Sequence, residues 1–266
     1  MEKIPQGRKE MKNKRQEIIL KLLKEHRMIK AKDLKQMFKV SMETIRRDLE
    51  FLEEEGYLSR VYGGAILKRL HGIEPEYGGR GIKNFEEKKK IALAATALVE
   101  DGDTIIIDVG TTTLEFAKHL YTFKNLTVLT NSIPIVVELK KSADIRTLIV
   151  GGEVRQGELS SSGCWAEEMI SRFNVDKVFL GIGGIDGEKG VSDYHMEEAN
   201  LRKYFIHSGQ MLIGLADYSK FGVTALNKIC EVSDFDYIVT DDCTPVKMVN
   251  QLKEKGVVPL IGRKVV

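Results

Sequence analysis

The chain has 266 residues, of which 42% are hydrophobic and 30% charged, a composition typical of a soluble globular protein. No apolar run approaches the roughly 20 residues that a membrane-spanning helix needs, and the basic N-terminus lacks the apolar segment of a secretory signal. The three widely separated cysteines have the spacing of neither a zinc site nor a disulfide framework. We therefore expect a cytoplasmic protein that has no membrane partner, metal or cofactor.

Charge is distributed unevenly along the chain. Residues 1–71 carry 18 Lys and Arg against 11 Asp and Glu, a net charge of +7, whereas the rest carries 23 against 28, a net charge of −5. A small basic module joined to a mildly acidic one is typical of a DNA-binding domain attached to a domain that does not bind DNA. Solvated charged helices would give similar numbers, so the asymmetry only supports this interpretation.

Residues 1–67 have the pattern of a winged helix-turn-helix, an α+β fold. Amphipathic helices are predicted over 14–25 and 32–38. A third helix begins at Ser41, a good N-cap, and stops at Gly56, which suits the position after a helix. Two short strands, Tyr57–Val61 and Ala65–Leu67, follow. The residues expected to face the core are Ile18, Ile19, Leu22, Leu23, Leu34, Met37, Phe38, Ile45, Leu49 and Leu52.

The third helix carries most of the residues expected to contact DNA. A helix in the major groove reads bases with its N-terminal residues, and arginine suits bidentate contact with guanine. Spacing does not decide which of Arg46 and Arg47 reads a base and which binds phosphate, and Asp48 is expected to orient an arginine. Two hairpin residues are expected to meet phosphate or the minor groove. The candidate set is Ser41, Met42, Thr44, Arg46, Arg47, Arg60 and Tyr62.

Two exposed arginines would by themselves fit a solvated helix stripe. The surrounding residues, however, resemble the DeoR-family helix-turn-helix signature, because Arg15, Ile19 and Leu23 are followed after seventeen residues by S-x-x-T-I-R-R-D-L, Ser41–Leu49. The wing sequence R-V-Y-G-G-A, Arg60–Ala65, is also similar to that of the family. The resemblance implies a sequence-specific transcription regulator that binds a double-stranded DNA operator, most often as a repressor.

Residues 68–84 are rich in glycine and charge and are interpreted as a linker to a second domain, 85–266. There, short apolar runs alternate with helical segments, which indicates an α/β domain with a mostly parallel sheet covered on both faces. Its strands are predicted over 104–108, 126–130, 147–150, 177–182, 210–215, 237–240 and 257–261, and its helices over 86–99, 114–120, 133–141, 196–207 and 245–255.

The most informative segment of this domain is D-V-G-T-T-T, Asp108–Thr113, between a predicted strand and a predicted helix. Glycine and hydroxyl residues at such a turn offer N–H and O–H donors beside the positive end of a helix, which suits a phosphate. Hydroxyl residues also cap helices without binding a ligand, so spacing leaves both explanations open. Turns that carry Asn131, Gly152 and Lys220 follow other strands and are expected to converge on the same crevice.

Residues 85–242 resemble the DeoR-family sensor domain. The matching motifs are D-x-G-T-T (Asp108–Thr112), T-N-S (Thr130–Ser132), G-G (Gly151-Gly152), F-L-G-I-G-G-I-D (Phe179–Asp186), A-D-Y-S-K-F (Ala216–Phe221) and V-T-D-D (Val239–Asp242). That family senses phosphorylated sugars or related metabolites with a domain similar to sugar-phosphate isomerases and CoA-transferases. With the converging turns, the resemblance implies an effector-binding set of Asp108, Gly110, Thr111, Thr112, Thr113, Asn131, Gly152 and Lys220.

The alternative is a sugar-phosphate isomerase-like enzyme fused to a DNA-binding head. Proton transfer between carbons needs a carboxylate base and an electrophilic partner for the oxyanion. Ribose-5-phosphate isomerases carry an acidic turn where our matching places Gly181 and Gly184, and the nearby Asp186 and Asp193 are in a different register. We therefore expect binding without catalysis and no catalytic residues. A nicotinamide-dependent oxidoreductase would need a glycine-rich fingerprint at the T-T-T turn.

Oligomerisation is also expected. A single winged head binds too weakly to compete with non-specific DNA, so symmetric pairing on a repeated or palindromic operator is predicted. The sequence thus predicts a homo-oligomer, a dimer or tetramer, in which each chain contributes one recognition helix.

Overall fold

The structure is a computed structural model that describes residues 14–23, 28–54, 57–61, 63–67 and 77–263. The chain divides into two compact units, Met1–Arg69 and Leu70–Val266. Within the described ranges, no helix combines the length and the apolar character that crossing a membrane requires.

The first unit combines three helices with a three-stranded antiparallel sheet. Residues 14–23 are helical and form α1. The other elements are β1 (Met28–Lys30), α2 (Ala31–Phe38), α3 (Met42–Glu54), β2 (Leu58–Val61) and β3 (Gly64–Leu67). The strand order β1-β3-β2 confirms the predicted hairpin and adds a strand, β1, that the sequence did not predict. Gly64 permits this pairing, since a Cβ there would lie 2.1 Å from the Ile29 carbonyl oxygen.

Helical spacing predicted most of the first unit's core. Six of the apolar residues expected inside are at most 3% exposed: Ile19, Leu23, Leu34, Ile45, Leu49 and Leu52. Ile18 and Met37, by contrast, are 44% and 56% exposed. The inward stripe of α2 contains Ala31, Leu34 and Phe38, and Met37 falls roughly 120° around the helix from Ala31 at 100° per residue. Ile18 likewise lies away from the buried Ile19 and Leu23 of α1, so the predictions that Ile18 and Met37 face the core are wrong.

The second unit contains twelve strands and seven α-helices among the residues that the structure describes. The strands are β4 (Thr104–Ile107), β5 (Leu126–Thr130), β6 (Ile145–Ile149), β7 (Glu153–Arg155), β8 (Ser160–Ser162), β9 (Val175–Gly181), β10 (Gly184–Asp186), β11 (Gly190–Asp193), β12 (Gly209–Leu215), β13 (Asn227–Cys230), β14 (Tyr237–Asp241) and β15 (Val258–Gly262). The helices are α4 (Tyr77–Ile82), α5 (Phe85–Ala95), α6 (Thr111–Ala117), α7 (Ile133–Leu139), α8 (Cys164–Ile170), α9 (Met196–Ser208) and α10 (Val246–Glu254).

Seven of these strands form one sheet in the order β15-β14-β12-β9-β4-β5-β6. All neighbouring pairs in this sheet are parallel, which confirms the predicted α/β architecture. Helices cover both faces, because Ile105 and Ile107 of β4 belong to one apolar cluster and Ile106 to the other. Strand side chains alternate between faces, so a strand buried on both sides is apolar throughout.

Two smaller antiparallel sheets, β10-β11-β13 and the hairpin β7-β8, lie beside the main sheet. The segment interpreted as a linker also differs from the structure from Tyr77 onward, because α4 belongs to the second unit. The Lys88 ammonium of α5 explains this placement, since it donates hydrogen bonds to the carbonyls of Arg80 and, at 2.8 Å, of Lys83. These carbonyls lie at the C-terminal end of α4, where cations are favoured. Residues 68–76 lie outside the described residues.

Candidate DNA-reading helix and effector site

Helix α3 begins where the sequence predicts. The Ser41 hydroxyl accepts a hydrogen bond from the Thr44 N–H at 3.1 Å and lies 2.8 Å from the Thr44 hydroxyl. Ser41 therefore acts as the N-cap, an interaction typically worth about 1 kcal/mol. Both hydroxyls remain at the solvent-facing start of the helix, because Ser41 is exposed and Thr44 only half-buried.

Asp48 holds α3 against α1. This carboxylate is fully buried and accepts hydrogen bonds from Arg15 Nε at 2.5 Å and Gln16 Nε2 at 3.2 Å. Asp48 thus orients an arginine, as expected, but that arginine is Arg15 of α1. Its contribution is to fix the angle of the recognition helix within the first unit.

Arg46 and Arg47 both lie on the exposed side of α3. Arg47 Nε is 3.3 Å from Glu43 Oε1, and these side chains are 74% and 62% exposed. A solvent-exposed pair of this kind contributes only about 0.3–0.5 kcal/mol, so it opens at little cost. Arg46 makes no ion pair with any residue in the described ranges. Both guanidinium groups are accessible at the N-terminal half of α3.

Two of the remaining DNA candidates, Met42 and Arg60, are engaged within the first unit. Met42 is partly buried against the first unit's core, so it packs rather than projecting outward. Arg60 donates hydrogen bonds to Glu53 and Glu50 of α3, each at 2.7 Å, and these bonds raise the pKa of Arg60. Arg60 therefore ties β2 to α3, and a phosphate would have to displace two carboxylates to reach it. Tyr62 lies outside the described residues.

The loop after β4 is built as a helix start. Gly110 is the N-cap of α6, so the three threonines form its first turn instead of preceding the helix. The Thr113 hydroxyl is buried and donates to the Gly110 carbonyl at 3.0 Å. The hydroxyls of Thr111 and Thr112 have no hydrogen-bond partner within the part of the chain that the structure describes. Thr113 stabilises the loop, and the other two hydroxyls retain their bonding capacity.

Asn131 and Gly152 shape the same end of the sheet. Asn131 is buried, accepts a hydrogen bond from the Val109 N–H at 3.0 Å and donates one to the Ser161 carbonyl at 3.3 Å. Gly152 has a φ of +156°, and a Cβ there would lie 2.4 Å from the Ser162 carbonyl oxygen. Asn131 therefore connects the ends of β4 and β5 to the β7-β8 hairpin, and its side chain is already engaged. Gly152 lets the chain that leaves β6 pass close to β8 of that hairpin.

Lys220 lies in a short 3₁₀ turn after β12. Asp217 begins this turn and accepts hydrogen bonds from the Ser219 N–H and from Asn84 Nδ2, both at 2.9 Å. Burial lowers the pKa of Lys88 to about 8; Asp217 counteracts this effect, and the charge of Lys220 adds to it. Two lysines and a buried aspartate thus meet where β12 ends, and Lys220 is the more exposed of the two cations.

Sequence reasoning missed a buried charge cluster at the end of β4. Arg202 Nε of α9 donates to Asp108 Oδ2 at 2.7 Å, and Arg202 Nη1 lies 2.8 Å from Asp193 Oδ2 without hydrogen-bond geometry. Asp108 Oδ2 also accepts from the Gly181 N–H at 3.2 Å, whereas its Oδ1 is buried without a partner in the described ranges. Burial raises the pKa of Asp108 to about 6, although Arg202 opposes this shift. Asp108 therefore anchors the loop.

Glu198 extends this cluster to the β7-β8 hairpin. Its carboxylate is 3% exposed and accepts hydrogen bonds from Ser160 Oγ at 2.6 Å and Arg155 Nη1 at 3.1 Å. The neighbouring Glu197, by contrast, is exposed. Glu198 and Arg202 are four residues apart, on the same face of α9 as the buried Leu201 and Phe205. Helical periodicity was therefore the signal that could have identified them.

Catalysis would require a carboxylate that is free to act as a base. Asp108 and Asp193 are both paired with Arg202, so neither can accept a substrate proton without losing a buried ion pair. The Asp186 carboxylate accepts hydrogen bonds from the backbone N–H groups of Glu188 and Lys189, both at 3.0 Å, and so stabilises the β10-β11 turn. This arrangement favours binding over proton transfer.

One group of potential metal ligands occurs in the described ranges. Ligand atoms of Asp241, Asp242 and Cys243 lie within 4.8 Å of one another. The Asp242 carboxylate, however, is 2.6 Å from Lys90 Nζ, and Asp241 accepts hydrogen bonds from the Tyr218 and Cys243 N–H groups. Burial and the neighbouring carboxylates raise the pKa of the Cys243 thiol, which keeps it protonated at neutral pH. These residues fit a hydrogen-bonded turn better than a metal site.

Comparison with protein families gives two matches. The DeoR C-terminal sensor domain matches residues 83–242, and the DeoR-like helix-turn-helix domain matches residues 15–70. A solved ribose-5-phosphate isomerase in complex with phospho-erythronic acid is 17% identical, with a TM-score of 0.39 over 52% of this chain and 54% of that one. That structural similarity is too weak to support any conclusion.

Curated relatives cover nearly the whole chain. The putative aga operon transcriptional repressor of Escherichia coli O157:H7 is 32% identical over 253 residues, which is 94% of each chain. The repressor GlcR of Bacillus subtilis is 35% identical over 91% of this chain and 93% of its own. The glycerol-3-phosphate regulon repressor of E. coli K12 is 30% identical over 89% and 93%, respectively. With both domain matches, these relatives show that the chain belongs to the DeoR family of DNA-binding transcriptional regulators.

Proposed function

We propose that this chain is a cytoplasmic repressor of an operon for sugar or sugar-phosphate use, and that a phosphorylated sugar bound in the second unit controls its affinity for the operator. Relatives named as repressors of the aga operon and of the glycerol-3-phosphate regulon support this class of target. Two copies of the chain would place their α3 helices in successive major grooves of a symmetric site.

The observation that carries the effector proposal is the first turn of α6. Thr111 and Thr112 keep unengaged hydroxyls at a helix start, where backbone N–H groups and the helix dipole favour an anion. Lys220 provides a cation at the end of β12, the second strand along the sheet from β4. Sugar hydroxyls would then face the polar groups that surround Asp108.

Thermal-shift measurements with a panel of phosphorylated sugars, each beside its unphosphorylated counterpart, test this proposal. A specific effector should raise the melting temperature of the full chain, since a ligand at 100 times its Kd stabilises the folded state by about 2.7 kcal/mol. Thr112→Val should abolish the shift, whereas Thr127→Val, a half-buried threonine of β5, should preserve it. Stabilisation that survives Thr112→Val would place the effector elsewhere.

The same effector distinguishes binding from catalysis. Incubation with the purified chain should leave it unchanged, because the candidate bases are held by Arg202 or by backbone N–H groups. Isomerised product detected by NMR, and lost in Asp193→Asn, would instead make the second unit an enzyme.

A further inference from the structure

The main sheet of the second unit has two edge strands, β15 and β6. They differ in the backbone groups that point away from the sheet. On β15, the Val258 N–H donates to the Asp236 carbonyl on the β14 side. Backbone groups alternate in direction along a strand, so the nitrogen of Pro259 faces outward, where it has no hydrogen to donate. Proline at this position blocks the addition of another strand. This edge of the sheet is protected.

The opposite edge, β6, has no such protection. The Val150 N–H donates to the Thr130 carbonyl of β5, so alternation directs the N–H and C=O groups of Ile145, Thr147 and Ile149 outward. No strand in the described part of the chain pairs with that side. The strand sequence I-R-T-L-I contains no proline, and its one charged residue is Arg146. An apolar open edge of this kind is normally covered.

Large apolar side chains surround this edge. Helices α7 and α8 pack on opposite faces of β6, and the β7-β8 hairpin lies at its carboxyl end. Four exposed side chains on β6, α8 and the hairpin, together with the outer side of β6, are named here the β6 edge surface: Ile149 (44% exposed), Val154 (49%), Leu159 (48%) and Trp165 (72%). Leu159 has a φ of 55°, a left-handed conformation that costs a leucine roughly 1–2 kcal/mol and holds its side chain outward.

We propose that the β6 edge surface is where two copies of this chain associate, by antiparallel pairing of β6 with its own copy. Pairing centred on Thr147 places Thr147 opposite Thr147, Ile145 opposite Ile149, and Arg146 opposite Leu148. The three outward-facing residues then fall at hydrogen-bonded positions, and each pair exchanges two N–H···O bonds. No like charges face each other, and cross-strand threonine and branched aliphatic pairs are favourable.

The size of the surface fits a second copy. The four side chains expose on the order of 400 Å² of apolar area, about half of the roughly 800 Å² that one partner buries in a stable interface. The backbone edge and polar rim would supply the rest, and a two-fold axis buries the same surface on both chains. This inference names the surface through which the proposed function's DNA-binding dimer forms, and it rests on that function.

Trp165 is the only tryptophan in the sequence, so its fluorescence reports on this surface directly. For the full chain, molar mass by sedimentation velocity and acrylamide quenching of Trp165 should be measured over the same concentration series. A single chain has a mass of 30.0 kDa. As the mass doubles, quenching should fall severalfold and the emission should shift to shorter wavelength.

Ile149→Lys buries an unpaired ammonium group opposite the apolar Ile145 of the second copy and should weaken dimerisation at least about thirtyfold. Thr147→Pro removes an outward N–H without removing a bond to β5 and should have the same effect. Val258→Lys, at a similarly exposed position on the proline-protected edge, is the matched control and should change neither readout. Circular dichroism verifies that each variant is folded.

Several results would overturn the inference. One is a dimer that persists in both β6 variants. Another is a dimer in which acrylamide quenches Trp165 as strongly as in the monomer. A third is protection of Trp165 from acrylamide that does not depend on protein concentration. The last result would indicate an occupant from the same chain. Operator binding is measured separately, so a monomer that binds operator refutes this surface and leaves DNA recognition standing. A β6-paired dimer that binds no operator refutes the proposed function alone.

Discussion

Arg46 and Arg47 differ in their surroundings, although they are adjacent in the sequence. Arg47 has an exposed partner in Glu43, whereas Arg46 has no ion pair in the described ranges. A base contact is specific only if the guanidinium is free to approach the guanine edge in a fixed orientation. The burial of Asp48 against α1 supplies that orientation for the helix as a whole.

We therefore expect Arg46→Ala to weaken operator binding by about 1–3 kcal/mol and to relax the preference at one base pair. Arg47→Ala should weaken operator and non-specific DNA alike and flatten the salt dependence by about one charge. Fluorescence anisotropy at several salt concentrations, with operator and scrambled duplexes, separates the two outcomes. Lys21→Ala, an exposed lysine of α1, is the control. Equal losses on both duplexes for Arg46→Ala would show that it binds phosphate.

Glu197 and Glu198 provide a matched pair on α9. Glu198 is buried with two partners, and Glu197 is exposed. Glu198→Gln removes the charge that compensates Arg155 and should destabilise the second unit by about 2–3 kcal/mol. Glu197→Gln should change its stability by less than about 0.5 kcal/mol. Urea unfolding monitored by Trp165, which lies in the second unit, measures both; similar values for the two variants would contradict the buried cluster.

At the scale of elements, the sequence predicted the helices and strands that have a clear hydrophobic period or a continuous apolar run. The seven strands of the main sheet lie within two residues of their predicted positions, because strands buried on both faces are apolar throughout. Strands of three residues, such as β1 and β10, are too short to establish a period. Helix α4 was missed because Gly79 and Gly81 resemble loop residues and the contacts that hold it are made by Lys88 and Glu158.

In the candidate site, likewise, the sequence predicted residues that are contiguous in the chain but not their distant partners. Asp108 and the threonine turn stand out because strand, glycine and hydroxyl residues are contiguous in the sequence. Arg202 is 94 residues away from Asp108, and no local pattern shows which carboxylate a buried arginine will meet. Likewise, the sequence predicted a DNA contact for Arg60 but could not show that Glu50 and Glu53 already bind it.

Lys88 connects α5 to α4, and burying its charged form lowers the stability of the folded state by an amount that depends on pH. Its pKa falls from 10.5 to about 8 because burial disfavours the charged form. Between about pH 8 and 10.5 the unfolded chain therefore binds more protons at Lys88 than the folded chain does. The folded state is penalised below pH 8, and the penalty is relieved as the pH rises through this window.

The stability of the wild-type second unit should thus rise between pH 8 and 10.5, relative to Lys88→Met, by on the order of 1–3 kcal/mol. Urea titrations of both proteins across this range, followed by Trp165, test the difference in slope. Lys89→Met, an exposed neighbour, should follow the wild type. Parallel curves for wild type and Lys88→Met would show that the Lys88 ammonium is not desolvated.

At the scale of the whole molecule, the proposed function requires a coupling between DNA binding in the first unit and effector binding in the second. An effector changes operator affinity only by its different affinity for the two states of the protein. The coupling is reciprocal, so if the effector weakens operator binding by a given factor, saturating operator must weaken effector binding by the same factor. Factors of about 5–150, or 1–3 kcal/mol, are typical.

Calorimetric titration of the effector, with and without saturating operator duplex, should therefore give a Kd ratio equal to the effector-induced change in operator Kd. Thr112→Val should eliminate both changes and keep the wild-type operator affinity of the ligand-free protein, because the threonine belongs to the effector turn alone. Arg46→Ala should weaken operator binding and leave the effector Kd of the free protein unchanged. If the effector bound equally well with and without operator while still displacing DNA, it would be competing for the DNA-binding surface, and the threonine turn would not be its regulatory site.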